Sequence, residues 1–196
     1  MTFKTLTISL IGILFLAFVG CQTQPAGEAT ETEEVETTET KEEDKSKRES
    51  PPKEAMATLG STQVTINYGS PGVKGRTIWG DLVAYDEVWR TGANEATTIE
   101  VSGPVTIEGQ ALPAGKYSFF TIPGEQDWTL IFNSVSEQWG AYDYADSADV
   151  LRVKVMPEEV EEVQERMAFT IAEDGKVVLA WDKLRVPFMV AEAAAE

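Results

Sequence analysis

"KYSFFTIPGEQDWTLIFN", residues 116–133, decides the fold class. "KYSFFTI" is apolar on both of its faces, the pattern of a strand in the middle of a sheet rather than at its margin. "WTLIFN" follows after the turn "PGEQD". Outward from this pair the period of two persists. "QVTINYG" puts Val64, Ile66 and Tyr68 on one face, and "ATTIEV" and "VTIEG" are joined by "SGP". "VLRVKV" sets Leu151, Val153 and Val155 opposite Arg152 and Lys154. "MAFTIA" and "KVVLAW" flank "EDG", a hairpin signal because Asp-Gly tolerates positive φ. "LRVPFMV" aligns Leu184, Val186, Phe188 and Val190, and Pro187, which cannot donate to a ladder, places that strand at an edge. The helix candidate is "PEEVEEVQERM", residues 157–167, with proline at its start and acids in its first turn. Short strands with a turn about every ten residues mean an all-β antiparallel sandwich or barrel, and a sandwich, immunoglobulin-like or jelly-roll-like, is the expected form.

The N-terminus reads as an export signal. Lys4 precedes the apolar "LTISLIGILFLAFVG", and Gly20 stands immediately before Cys21, the chain's single cysteine. The junction "FVGC" resembles a bacterial lipobox, with Phe18 where leucine is usual. Residues 1–20 are then a lipoprotein signal peptide and Cys21 the lipid-attachment site, acylated and held in a membrane. The localisation expected is the bacterial cell envelope, at the outer membrane. Residues 21–54 are rich in Glu and Thr, carry no aromatic residue, and form a disordered acidic tether with a few late bases: Lys41, Lys45, Lys47 and Arg48. Residues 55–196 form a single domain, long enough to bury a core without disulfide or metal.

Charge and composition remove whole classes of function. A net charge of −17 argues against nucleic acid, which requires a basic face. The absence of histidine rules out histidine triads and histidine-ligated zinc. "YDYADSAD", residues 142–149, has oxygen ligands for calcium but lacks the glycine and closing glutamate of an EF-hand loop, so it reads as a polar turn. No cofactor or metal site is expected.

"IEGQALPAGKYSFFTI" resembles a corner common in immunoglobulin-like bacterial sandwiches, with Ala114, Gly115 and Tyr117 as architecture. Four longer motifs in order, "SPGVKGRTIWGDLVAYDEVWRTGANEATTI", "AGKYSFFTIPGEQDWTLIFN", "QWGAYDY" and "DVLRVKV", resemble the bacterial family called domain of unknown function 2911. The likeness runs from Ser61 to about Val190. It implies an all-β domain of exported proteins and lipoproteins, and brings with it no activity and no catalytic residue.

Chemistry is densest at "VWRTGANEAT", residues 88–97. Arg76 and Arg90 each lie close to a tryptophan, and an arginine can stack on an aromatic face while forking to a carboxylate. Two readings follow. In one, Arg90 and Glu95 form a brace across the Gly92 turn, with Asn94 satisfying turn backbone groups or tolerating left-handed geometry. In the other, Arg76, Trp89, Arg90, Asn94 and Glu95 line a cleft for a sugar or small acidic ligand. A non-catalytic binding module is favoured over a hydrolase of envelope glycans pairing Glu95 with Asp81 or Asp86, and over a structural subunit of an envelope assembly. A Ser118–Lys116 nucleophile is disfavoured because Ser118 falls in packed sheet.

Overall fold

The computed structural model describes residues 44–193; the signal peptide, Cys21 and the tether before residue 44 lie outside the described residues. A 3-10 turn, Lys45–Lys47, precedes ten strands: β1 Pro52–Leu59, β2 Thr62–Gly69, β3 Thr98–Val101, β4 Val105–Ile107, β5 Gln110–Leu112, β6 Gly115–Ile122, β7 Trp128–Asn133, β8 Asp149–Val155, β9 Glu158–Ile171 and β10 Lys176–Glu192. They build two antiparallel sheets, a six-stranded one ordered β1-β2-β3-β6-β7-β8 and a four-stranded one ordered β5-β4-β10-β9. The six-stranded sheet runs in chain order except for one excursion, in which β4 and β5 leave β3, join the other sheet, and return the chain beside β3 as β6. The expected antiparallel β-sandwich is present.

The central position of β6 follows from its sequence. Tyr117 and Phe119 enter the main core between the sheets, together with Trp128, Leu130 and Phe132 of β7. The opposite face of the same strands carries Phe120 and Ile131, which pack with Ala96 beneath Val88, Ala141 and Tyr144 from loops. Loops thus cover the second apolar face. Tyr117 also donates from its hydroxyl to the Pro113 carbonyl at 2.9 Å, closing the corner that resembled an architectural motif.

Three expectations are corrected. The stretch 157–167 is not a helix; it is the first part of β9, paired to β10. The ladder is irregular there: Asp182 pairs with Gln164, yet Leu184 pairs with Glu159. The bulge resets the side-chain phase, and pairing overrides the helical preference of a glutamate-rich run. Pro187 does not mark an edge strand. "KVVLAW" and "LRVPFMV" are one continuous strand, β10, lying between β4 and β9. Its pairing to β9 ends at Arg185 and its pairing to β4 begins at Val190, so Pro187 sits where neither neighbour asks for its missing N–H. The ordered chain also starts earlier than Ala55, since β1 begins at Pro52 and residues 44–50 already touch the domain.

Between the sheets the long connection from β2 to β3 inserts Trp79 and Trp89 against Trp128 of β7 and Trp181 of β10. Trp79 meets Trp128 and Trp181 edge-on at 5.0 and 5.6 Å between centroids, and Trp89 stacks on Trp181 at 5.9 Å. A second aromatic group centres on Phe119, in contact with Phe132, Phe169 and Phe188. Phe119 is 1% exposed and joins both sheets. Phe119→Ala is expected to lower unfolding stability by about 3–5 kcal/mol in urea, whereas Val163→Ala on the exposed part of β9 should change it by less than about 0.5 kcal/mol.

Candidate functional site

The segment 88–97 distributes its side chains in several directions. Trp89 exchanges both backbone hydrogen bonds with Thr121 of β6, at 2.8 and 2.9 Å, so its indole enters the core. Thr91, at φ 54°, is buried with its hydroxyl 3.1 Å from that of Thr121, and its carbonyl accepts from the Thr97 hydroxyl at 2.8 Å. The turn then lies flush on the end of β2. A Cβ on Gly69 would fall 2.1 Å from the Ala93 carbonyl oxygen, so that position admits only glycine. Asn94 adopts left-handed backbone, φ 65°, as expected, and its amide donates to the Ser50 carbonyl at 3.0 Å.

Glu95 does not brace Arg90. Its carboxylate takes Lys45 at 2.9 Å and Arg48 at 2.8 and 3.0 Å, two bases that the sequence had assigned to the tether. Arg48 in turn lies over the Trp139 ring, 5.8 Å from its centroid. Burial works to raise the Glu95 pKa, but the hydrogen bonds from Lys45 and Arg48 prevail and hold it at about 2. The brace is real, but its arms come from residues 45–48, separated in sequence from the turn they fasten. Long-range pairing of this kind has no local spacing to betray it.

Around this ion group is a hollow of about 550 Å³. Lys45, Arg48, Lys53 and Lys116 line it against two acids, Glu95 and Glu137, and Trp139, 53% exposed, forms a wall. Of the residues singled out from the sequence, Asn94 and Glu95 border it. The other three, Arg76, Trp89 and Arg90, line a separate cavity of about 300 Å³ that Asn94 also touches. The predicted constellation is therefore split between two hollows. Sequence reading missed Trp139 and the four bases. A tryptophan in the polar run "SEQWGAYDY", and bases gathered at the end of an acidic segment, were the available signals. A third hollow, about 600 Å³, opens beside Met156, Pro187, Phe188 and Met189.

The catalytic alternatives find no assembled site. Asp81 and Asp86 are exposed and line neither of the two hollows that receive residues 89–95, and a carboxylate held near pKa 2 is a poor proton donor at neutral pH. Ser118 is buried and donates to the Val135 carbonyl at 2.8 Å. The stretch 142–149 is a hydrogen-bonded turn: Asp149 accepts from Tyr144 at 2.6 Å, Arg152 at 2.7 Å and Asn133 at 2.8 Å. Burial, and then the bond to Asp149, push the Tyr144 hydroxyl up to about 12. Among the described residues no group of three or more Cys, Asp or Glu is placed to hold a metal ion.

Comparison with known proteins identifies the domain. The family model described as "Protein of unknown function (DUF2911)" matches residues 50–190, and the chain belongs to that family. No curated protein and no solved structure matches it.

The depressed Glu95 pKa has a defined consequence for stability. A carboxyl lowered on folding stabilises fully above its ordinary value of 4.5, and that contribution is lost as pH falls toward 2. Since 42% of the Glu95 side chain is exposed, screening limits the effect to about 1 kcal/mol. Unfolding free energies of wild type and Glu95→Gln, measured in urea, should differ by this amount at pH 6 and converge as the pH approaches 2.

Proposed function

We propose that this member of the family is an exported lipoprotein, held at the outer membrane of the bacterial envelope through acylated Cys21, whose β-sandwich is a non-catalytic module binding a short acidic sugar. The observation that carries the binding reading is the hollow beside Trp139. Arg48 lies over one side of the exposed Trp139 indole, and a pyranose ring would stack on the side that Arg48 leaves open, while Lys53 and Lys116 stand at the same hollow with no acid among the described residues paired to them. In a chain of net charge −17, four bases converging on one hollow are a local reversal of sign. The ligand that matches both features has a sugar ring and a carboxylate. Anchoring rests on the lipobox-like "FVGC" junction in a chain with one cysteine.

A second reading, as a subunit of an envelope assembly, draws on a different surface. Met156 is 73% exposed and Met189 40% exposed, both beside the 600 Å³ hollow, and flexible thioethers suit adaptable protein contacts.

Binding is tested by calorimetric titration with an oligogalacturonide and with a neutral maltooligosaccharide of equal length. The acidic oligomer should bind and the neutral one should not. Trp139→Ala and Lys53→Ala should each weaken binding about tenfold, in line with 1–2 kcal/mol for a stacking face or a charge-assisted contact. Equal affinity for the neutral sugar would remove the acidic-sugar reading. Anchoring is tested separately: Cys21→Ser should leave an unprocessed precursor or release the protein from membranes, and a mature-sized variant still in the membrane fraction would refute acylation.

A further inference from the structure

The 300 Å³ cavity holds a cation with no carboxylate partner among the described residues. Arg76, at its rim, spends its guanidinium on the carbonyls of Gly72 at 2.5 Å and Val73 at 3.1 Å. Lys74 pairs with Glu49. Arg90 is different. It is half-buried, its Nε is sealed from solvent and meets no acceptor, and among the described residues no carboxylate lies within ion-pair distance. Burial depresses its pKa. The acid that sequence spacing offered it, Glu95, is engaged by Lys45 and Arg48 at the other hollow.

A part-buried guanidinium with a sealed, unpaired Nε is unfavourable without a counter-ion, because charges withdrawn from water are usually matched by a partner. The cost is tolerable where the counter-ion arrives from outside. The cavity's inner wall supports this. Trp89 and Trp181 line it, and the Trp181 indole N–H, in a residue 2% exposed, likewise has no acceptor. At about 300 Å³ the cavity is at the small end of ligand pockets, which run from about 300 to 1,000 Å³.

We propose that this cavity is a binding site for a small organic monocarboxylate, with its charge on the Arg90 guanidinium and its apolar body against the indoles of Trp89 and Trp181. The planar fork of arginine matches a carboxylate's two oxygens, and an aromatic wall rewards a ligand that has a hydrophobic part. Glu49 borders the same cavity, and its carboxyl is held below the usual range by its hydrogen bond and attraction to Lys74. With Glu49 matched by Lys74, Arg90 alone is left for a guest, and inorganic phosphate has no apolar body to set against the indoles. This site is distinct from the hollow beside Trp139, and neither proposal requires the other.

Benzoate is the probe, with benzamide as its neutral isostere and inorganic phosphate as the multiply charged control. Because the Trp89–Trp181 stack lines the site, occupancy reports itself in tryptophan fluorescence. Titration of the full chain with benzoate across the millimolar range should quench saturably, while benzamide and phosphate should not. Arg90→Met should raise the benzoate Kd at least tenfold, Arg90→Lys should give an intermediate value by keeping charge without the fork, and exposed Lys183→Ala should leave it unchanged. Ligand-free Arg90→Met should also match or exceed wild type in urea, since it removes an uncompensated cation. The proposal is overturned by absent saturation with benzoate, by equal binding of benzamide or phosphate, by an unchanged Kd in Arg90→Met, or by marked destabilisation of that variant without ligand. Should Arg90→Met not fold, that outcome counts as the destabilisation just named.

Discussion

The structure depends on two indoles that a loop drives between the sheets. The connection from β2 to β3 has no regular strand, yet it carries Trp79 and Trp89 into contact with Trp128 and Trp181, one from each sheet. An aromatic side chain of this size can bury on the order of 150–250 Å², so even partly buried indoles fasten the loop to the core. The indole N–H groups of Trp79, Trp128 and Trp181 have no conventional acceptor. A loop pinned at Trp79 and Trp89 leaves the residues that follow little freedom, and those residues are the polar ones at both candidate sites.

That constraint explains why "WRTGANE" looks like a working site and a brace at once. Trp89 and Thr91 point inward, as the backbone pairing of Trp89 with Thr121 requires. Arg90 then borders the small cavity, and past the close approach of Gly69 and Gly92 the chain emerges with Glu95 at the other hollow. Arg90 and Glu95 are five positions apart and serve different surfaces. The brace that does form, from Lys45 and Arg48 to Glu95, joins the end of the tether to the domain. Lys45 and Arg48, read from sequence as tether, are therefore part of the folded unit.

What could be read in advance was whatever depended on local alternation. The pairing of β6 with β7, the hairpin at "EDG" and the architectural role of Tyr117 all follow from side-chain period and turn chemistry, and all are present. What could not be read depended on partners remote in sequence. Pro157 and the acids after it look like a helix start until pairing with β10 makes the segment strand. Pro187 looks like an edge marker until β10 proves long enough to change neighbours around it. Among the site residues, Asn94 could be placed because its left-handed backbone is a local property. Lys53, Lys116 and Trp139 could not, because only sheet register and a bridge from Glu95 to Trp139 bring them to one hollow.

The charge distribution bears on what such hollows can select. A net charge of −17 repels any polyanion on approach, though salt confines that repulsion to roughly 8 Å at physiological ionic strength. Inside that distance the local lining governs, and it is basic: four bases against two acids at Trp139, and Lys74, Arg76 and Arg90 against Glu49 at the smaller cavity. A long acidic polymer would place most of its charge outside the basic zone, against an acidic surface. A ligand small enough to lie wholly within the zone gains the attraction without that repulsion. Acidity of the whole and basicity of the hollows thus act together as a size filter, and they favour small or terminal acidic groups over extended polyanions at both sites.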